Sequence, residues 1–274
     1  MITPLLPLVS SITPFQAFIL GAVQGLTELL PISSSAHLYI VPTVLGWHYE
    51  GVAFDVALHG GTLVALVIAF WKDWLKLVTD LASPDGVIAK AARDLWLKLV
   101  VCTIPGAIAG KLLDKIADEK LRYIPLQAAM LAIFGIILWA ADRFSGEGEE
   151  TDRPTWMTSL SMGLAQCLAL VPGVSRAGIT MTAGRVTGLS RTAAARFSFM
   201  LATPITAGAL VLKLKDIPHD VPASSMLIGV VTAAVFGIGA IHLLLGMVRR
   251  AGFGVFAVYR VALAAGLFIW IARR

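Results

Sequence analysis

The chain has 274 residues, of which 57% are hydrophobic and only 14% are charged, and its mean hydropathy is +0.82. This composition excludes an ordinary soluble globular protein and predicts an all-α integral membrane protein. The net charge of +5 is ordinary for a membrane protein whose loops face anionic headgroups. We therefore expect membrane lipids as partners and no nucleic acid.

The first apolar segment, residues 15–45, is interrupted by a polar motif. It reads Gln24-Gly-Leu-Thr-Glu28-Leu-Leu-Pro-Ile-Ser33-Ser34-Ser35-Ala-His37. Ionisable groups at bilayer depth cost several kcal/mol each unless they line a cavity or a site, so we interpret these groups as functional. The proline and serines predict a re-entrant pair of half-helices, because broken backbone is tolerated only where protein or water satisfies its polar groups.

Three apolar runs follow this motif. They cover residues 52–71, 96–110 and 124–141, and the second is shorter than the other two. A helix needs about 20 apolar residues to cross the hydrocarbon core, so we predict three membrane spans here. The polar and acidic stretch 142–155 then divides the chain, and we interpret it as a linker.

The second half begins with another interrupted apolar segment, residues 156–189, which repeats the Gly, Gln, Pro and Ser landmarks of the first. Its centre reads Pro172-Gly173-Val-Ser175-Arg176-Ala-Gly178-Ile-Thr180. Three more apolar runs follow at 196–212, 225–247 and 253–271. We predict one transmembrane domain, 1–274, with internal repeats at about 15–141 and 156–271. Three crossings and one re-entrant pair per half require inverted halves, so the predicted fold is an inverted-topology repeat with six transmembrane helices and two re-entrant helix-loop-helix pairs.

Several residue types in the first motif suit chemistry on an anion. Gln24 and Glu28 are four residues apart and leave the same face of a helix; a buried carboxylate there suits proton transfer or cation binding, and the alternative is a packing or capping role. The three serines precede a helix, where backbone N–H groups bind anions, or they simply cap it. His37 is able to transfer a proton or attack phosphorus, or it is a packed polar residue.

The second motif adds a cation on a tight turn. Arg176 suits bidentate binding of phosphate oxygens, and the alternative is a structural pair with Glu28. Together the two motifs supply the groups needed for phosphoryl transfer. Two weaker candidates remain open: Asp55 and His59 line the cavity or cap a span, and Arg260 contacts phosphate or acts as a packing counter-ion.

At these residues the chain resembles the undecaprenyl-pyrophosphate phosphatase family, also called the bacitracin-resistance proteins. The resemblance rests on the two motifs and on Tyr259-Arg260 near the end of the chain. It implies hydrolysis of undecaprenyl pyrophosphate to the monophosphate and inorganic phosphate at the outer face of the plasma membrane. This reaction recycles the cell-wall lipid carrier and confers bacitracin resistance. The implied catalytic residues are Glu28, Ser34, His37 and Arg176, and Gln24, Ser175 and Thr180 fall on further site positions of the family. From the residues themselves we expect Gln24, Ser33, Ser35, Gly173, Ser175, Thr180 and Arg260 to bind the substrate.

The resemblance also implies partners and a cofactor. The expected substrate is a polyprenyl pyrophosphate lipid, the expected assembly is a homodimer, and the expected cofactor is a divalent cation, Mg²⁺ or Ca²⁺, with Glu28 as a ligand and no organic cofactor. Gln24 stands where many members have a glutamate, and Ala177 leaves one fewer hydroxyl in the second motif.

Two other classes of function compete with a phosphatase. A secondary transporter or lipid flippase also uses inverted repeats with helices broken at mid-membrane. A purely structural membrane protein with capped broken helices would leave Arg176 unexplained.

The phosphatase interpretation carries two geometric expectations. The two motifs should face each other across one cavity, with Glu28 and Arg176 no farther apart than about 10 Å, the reach of a bridging phosphate and one water. The cavity should also be amphipathic, with polar groups for the phosphates and an apolar flank for the polyprenyl tail.

Overall fold

The computed structural model describes residues 12–48, 51–213, 215 and 221–273, and its regular secondary structure is helical. In chain order the helices are α1 (Pro14–Leu29), α2 (Ser34–Leu45), α3 (Val52–Ala69), α4 (Trp71–Leu81), α5 (Gly86–Lys120), α6 (Ile124–Phe144), α7 (Trp156–Ala165), α8 (Arg176–Val186), α9 (Arg191–Lys213), α10 (Ala223–Arg250) and α11 (Gly254–Ala272). A short 3₁₀ helix, Gln166–Leu170, continues α7. The predicted all-α class is confirmed.

Five helices in the described part of the chain are long and apolar enough to cross a membrane. They are α6, α9, α10, α11 and the segment Gly86–Leu113 of α5, and the bent pair α3 and α4 raises the number to six if it counts as one span. The upper number equals the six spans predicted from the sequence. The shorter apolar segment Trp156–Leu170 belongs to the second polar motif.

Two predicted span boundaries differ from the structure. The run 52–71 is followed by a separate helix, α4, whose axis bends away from α3 by 65°. The helix expected at 96–110 begins ten residues earlier, at Gly86, because the Asp85 carboxylate accepts hydrogen bonds from the backbone N–H groups of Val87 at 2.8 Å and Ile88 at 3.3 Å. This cap satisfies N–H groups that the first turn of a helix leaves unpaired, so the helix extends into the polar region.

Helix α1 packs closely along α10 and is thereby held in the interior. A Cβ added to Gly25 would lie only 2.6 Å from the carbonyl oxygen of Ala233. Small residues permit such close approach of two helix backbones in a membrane protein. The packing buries Gln24 and Glu28, which sit on either side of Gly25.

A buried ionic cluster joins the ends of four helices on the side of the linker. One oxygen of the Asp142 carboxylate accepts from Arg185 Nε at 3.2 Å and from Arg191 Nε at 2.7 Å. The other oxygen accepts from the backbone N–H of Phe253 at 3.0 Å. Because a buried charge is tolerated when it is paired and hydrogen-bonded, this cluster fixes the relative positions of α6, α8, α9 and α11.

Candidate active site

Each polar motif turns at a serine with an unusual backbone conformation. Ser33 has φ 76° and directly precedes α2, which begins at Ser34, while Ser175 has φ 73° and directly precedes α8, which begins at Arg176. Positive φ is uncommon for residues with a side chain and costs on the order of 1–3 kcal/mol, so it persists where the surroundings enforce it. Ser175 also caps α8, since its hydroxyl accepts from the N–H of Gly178 at 3.1 Å. The motifs therefore share a turn geometry as well as sequence landmarks.

The two turns touch each other. The backbone N–H of Gly173 donates to the hydroxyl oxygen of Ser33 at 3.1 Å. Gly173 has φ 99°, and a Cβ at this position would lie 2.7 Å from the carbonyl oxygen of Gln127. A residue with a side chain would therefore be strained and would clash, which explains a glycine at the contact between the motifs.

The Glu28 carboxylate connects the two motifs. Its Oε1 lies 2.6 Å from a terminal guanidinium nitrogen of Arg176, and its Oε2 accepts from the hydroxyl of Ser34. The same Oε2 lies 3.2 Å from His59 Nε2 and 3.5 Å from the amide nitrogen of Gln24. The expected proximity of Glu28 and Arg176 is confirmed.

A cavity of about 250 Å³ adjoins this carboxylate. Six residues predicted from the sequence line it, namely Glu28, Ser33, Ser34, Ser35, Ser175 and Arg176. The rest of the lining includes apolar side chains from α3, α9 and the 3₁₀ helix, among them Val56, Leu170, Ile205 and Ala209. The lining thus combines a charged and hydroxyl-bearing part with an apolar part, as an amphipathic substrate requires.

Arg260, expected to bind substrate, makes contacts with the backbone instead. It is fully buried, and its guanidinium donates to the backbone carbonyls of Pro31 at 3.1 Å, Gly173 at 2.8 Å and Val174 at 3.0 Å. Its Nε donates to the carbonyl of Leu131 at 3.1 Å. Among the described residues that line the cavity Arg260 does not occur, because its donors are directed at the backbone of both turns. Arg260 therefore contacts the backbone of both turns and lies outside the cavity lining, and its role in substrate binding stays a prediction.

Replacing Arg260 by Lys should destabilise the protein and reduce its activity as a consequence. An ammonium group has the charge but cannot reach carbonyls on both turns at once, and each buried carbonyl left unpaired costs about 1–3 kcal/mol. We expect a fall in the melting temperature of the detergent-purified protein by several degrees. An unchanged melting temperature together with a large rise in KM would instead support direct substrate contact.

His37 also lies outside the cavity lining. Its Nδ1 is 2.7 Å from the carbonyl oxygen of Ser33, its Nε2 is 2.7 Å from the hydroxyl of Tyr259, and the two rings stack with centroids 5.7 Å apart. Since a carbonyl oxygen only accepts, Nδ1 carries the proton of this hydrogen bond. The structure thus joins His37 to the strained serine turn and to α11, and its role as acid, base or nucleophile stays a prediction.

Two further predicted residues are buried next to the site. The hydroxyl of Thr180 donates to the carbonyl of Arg176 at 2.8 Å and lies 2.6 Å from the hydroxyl of Ser198. Gln24 is fully buried behind Glu28. Thr180 thus contacts the backbone of one cavity-lining residue and Gln24 contacts the carboxylate of another, and neither lines the cavity in the part of the chain that the structure describes.

The described residues do not form a ligand set for a divalent cation by themselves. They contain no group of three or more His, Cys, Asp and Glu side chains placed to hold a metal ion. Glu28 is the only carboxylate in the described lining, and both of its oxygens already contact nitrogen or hydroxyl donors. The divalent cation stays a prediction from the resemblance.

Two cavity residues were undervalued or missed in the sequence. His59, left open above, lines the cavity and contacts Glu28. Gln166 also lines the cavity, and its amide nitrogen donates to the carbonyl of Cys102 at 3.1 Å. The repeated landmarks contained the signal for Gln166, because it occupies the place in the second motif that Gln24 occupies in the first.

The sequence of the chain matches known proteins over most of its length. A family profile described as "Bacitracin resistance protein BacA" matches residues 17–266. The undecaprenyl-diphosphatase of Gemmatimonas aurantiaca is 46% identical over 266 residues, which cover 96% of this chain and 99% of that protein. The proteins of the same name from Pelotomaculum thermopropionicum and Desulforudis audaxviator are 44% and 43% identical, and the matches cover 96% and 91% of this chain and 98% and 95% of those proteins. The chain belongs to the bacitracin resistance protein BacA family.

Proposed function

We propose that this protein is a membrane phosphatase that hydrolyses undecaprenyl pyrophosphate to undecaprenyl phosphate and inorganic phosphate. The observation that carries the proposal is the contact of Glu28 with Arg176, which unites an anion-binding cation, a carboxylate and Ser34 at one cavity. Relatives that match nearly the whole chain are named undecaprenyl-diphosphatases. Such an activity recycles the lipid carrier of cell-wall synthesis and accounts for resistance to bacitracin.

The site has the groups needed to bind such a substrate. The Arg176 guanidinium binds two oxygens of the terminal phosphate in a bidentate manner. Backbone N–H groups at the beginnings of α2 and α8 add to this binding, since helix N-termini attract anions. The apolar part of the lining, for example Ile205 and Ala209, contacts the first isoprene units while the rest of the tail stays in the bilayer.

Hydrolysis then proceeds by attack of an oxygen on the terminal phosphorus. Glu28 accepts the proton of the attacking oxygen, which is the Ser34 hydroxyl or a water in its place. The bond from the terminal phosphorus to the bridging oxygen breaks, undecaprenyl phosphate leaves, and Arg176 stabilises the charge that develops. If Ser34 attacks, a water subsequently hydrolyses the phosphoserine and inorganic phosphate is released; direct attack by water releases it in one step.

We also propose that the two halves are inverted in the membrane, with each motif forming a re-entrant pair. Each half has one helix pair around a serine turn and three apolar spans, and an odd number of crossings reverses the orientation of the second half. The close contact between Ser33 and Gly173 supports this arrangement, because broken helices that enter from opposite sides of the membrane meet near its midplane.

An outward-facing cavity in the plasma membrane is part of the same proposal. With alternating spans, one side of the membrane receives the basic residues Lys72, Lys76, Lys90, Arg93, Arg143, Arg153, Arg191, Arg249 and Arg250. The other side receives Lys111, Lys115, Lys120 and Arg122, so the positive-inside rule favours the side with the larger number of basic residues as the cytoplasmic one by a small excess. The cavity lies toward the opposite ends of α3, α5 and α9, since it is lined by His59, Gly106 and Ala209. The homodimer stays a prediction from the resemblance.

Release of inorganic phosphate from undecaprenyl pyrophosphate by the detergent-purified protein tests the proposal. We expect phosphate and undecaprenyl phosphate in equal amounts, and we expect this release to disappear in the Glu28→Gln protein purified in the same way. A contaminating phosphatase would release phosphate in both preparations, so the variant is the control for contamination. A wild-type protein that binds the lipid but releases no phosphate would contradict the proposal and favour a transporter or flippase.

A further inference from the structure

His59 holds an unusual position at the edge of the cavity. It lies on α3, one helical turn after Asp55, and its side chain is 26% exposed. Its Nδ1 is 2.7 Å from the carbonyl oxygen of Asp55, and its Nε2 is 3.2 Å from Glu28 Oε2. The Asp55 carboxylate is in turn paired with Arg122 at 3.1 Å. The imidazole is therefore anchored at one nitrogen and presents the other to the catalytic carboxylate.

Hydrogen-bond chemistry determines the role of the second ring nitrogen, Nε2. A backbone carbonyl only accepts, so Nδ1 donates to Asp55 and the ring orientation is fixed. An ionised carboxylate also only accepts, so Nε2 carries a proton as well where it faces Glu28, and the ring is then an imidazolium that donates from both nitrogens. Nε2 then faces Oε2, while Arg176 faces Oε1 of the same carboxylate at 2.6 Å. Glu28 thus sits between two donor groups that come from different elements, α3 and α8, and both groups line the cavity.

A phosphate oxygen attracts the same donors as a carboxylate oxygen. Both are anionic acceptors for charge-assisted hydrogen bonds, and a phosphate offers three such oxygens where Glu28 offers two. In the structure Glu28 therefore occupies the donors that a bound phosphate would use. The serine hydroxyls of the lining are on the two motif turns. Of the two described lining residues on α3, Val56 and His59, only His59 has a side-chain donor.

We propose that His59 is a second phosphate-binding residue, which acts together with Arg176. On this proposal, the terminal phosphate of the substrate enters between Arg176 and His59 and takes over hydrogen bonds that Glu28 accepts in its absence. Glu28 is thereby released to accept the proton of the attacking oxygen. That the bound anion is the terminal phosphate of undecaprenyl pyrophosphate rests on the proposed function. The binding of an anion by His59 does not depend on that function.

Substitutions at His59, with a matched histidine as control, test the proposal. His242 on α10 also lies on an apolar helix and also has Nδ1 hydrogen-bonded to the carbonyl four residues earlier, that of Ile238 at 2.8 Å, but it does not line the cavity in the described part of the chain. We expect His59→Leu to lower kcat/KM by about ten- to hundredfold, mainly through KM, the effect of losing one hydrogen bond to a charged group. The concentration of inorganic phosphate that halves the activity should rise by a similar factor.

The control variants separate binding from folding. His59→Gln keeps an N–H donor near the position of Nε2 and should lose less than His59→Leu, whereas His242→Leu should leave both constants unchanged. Equal kinetic constants for His59→Leu and His242→Leu would overturn the proposal, as would a loss of thermal stability in His59→Leu with unchanged KM and phosphate inhibition. If His59→Leu does not fold, His59→Phe takes its place, since it keeps a planar ring and has no N–H donor, and unchanged KM and phosphate inhibition in it would contradict donor binding.

The same proteins also separate this proposal from the phosphatase assignment. If the wild-type protein releases no phosphate from undecaprenyl pyrophosphate, the proposed function is wrong. Inorganic phosphate alone then serves as the probe, because an anion bound to the native state raises the melting temperature. His59 binds anions if this rise is present in the wild type and in His242→Leu and absent in His59→Leu, and it does not if the rise is equal in all three.

Discussion

Replacing Glu28 by Gln should lower turnover by about 10²- to 10⁴-fold, the usual contribution of a general acid or base, while the protein still folds. An amide at this position is unable to accept the proton of the attacking oxygen at neutral pH. It also weakens the contact with Arg176, now 2.6 Å long, so the variant removes both the proton acceptor and the group that orients the guanidinium. Phosphate-release kinetics on detergent-purified protein measure the effect.

Gln24 provides the internal control for Glu28. It lies on the same face of α1, is fully buried, and its amide nitrogen is 3.5 Å from Glu28 Oε2. Because Gln24 is already an amide, it positions the carboxylate but is unable to act as the base. Gln24→Ala should therefore cost less activity than Glu28→Gln. Near-full activity in Glu28→Gln with loss in Gln24→Ala would show that the assignment of the proton acceptor is wrong.

The helical fold could be predicted from the sequence because uncharged runs near 20 residues have few alternatives to a membrane span. Helix ends were less predictable. The apolar run 52–71 continues without a break into Trp71, yet the helix axis bends there by 65°. The segment that follows, α4, contains Lys72, Asp73, Lys76 and Asp80. Charged side chains are costly in hydrocarbon, so α4 does not continue along the axis of α3. The length of the apolar run does not predict this bend.

The pairing of the two motifs was predictable for a physical reason. Broken helices expose backbone groups at membrane depth, and each motif offers donors and acceptors that the other needs. The contact from Gly173 to Ser33 and the contact from Arg176 to Glu28 are both of this kind. The sequence left open whether Arg176 binds phosphate or forms a structural pair with Glu28, and the observed contact with Glu28 is compatible with both roles.

The roles of Arg260 and His37 could not be separated in the same way. Both are polar residues in apolar helices, a pattern equally typical of substrate contact and of internal hydrogen bonding. Their partners are backbone carbonyls and a tyrosine hydroxyl from distant parts of the chain, such as Pro31 and Tyr259. Backbone acceptors have no sequence signature, so only the folded structure shows that these two side chains are engaged with the protein itself.

The geometry of Arg176 makes a charge-preserving substitution informative. Its guanidinium contacts Glu28 with one terminal nitrogen while the side chain lines the cavity and is 16% exposed. A planar guanidinium has further N–H donors in a fixed fork, which match two oxygens of one phosphate. A lysine ammonium would keep the charge and could still pair with Glu28, but it would bind the phosphate as a point charge.

Replacing Arg176 by Lys should therefore reduce turnover by about 10²- to 10³-fold, the loss expected when a preorganised donor to the developing charge is removed, with little change in melting temperature. Arg191→Lys is the matched control, because Arg191 is 40% exposed, pairs with Asp142 in the cluster beside the linker, and does not line the cavity in the described part of the chain. Its kcat should stay near that of the wild type.

Phosphate release and thermal stability, measured on both variants, decide whether Arg176 binds phosphate or acts only as the counter-ion of Glu28. Near-wild-type turnover in Arg176→Lys would mean that the residue acts only as a counter-ion of Glu28, since a lysine preserves that pair and loses only the bidentate grip on phosphate.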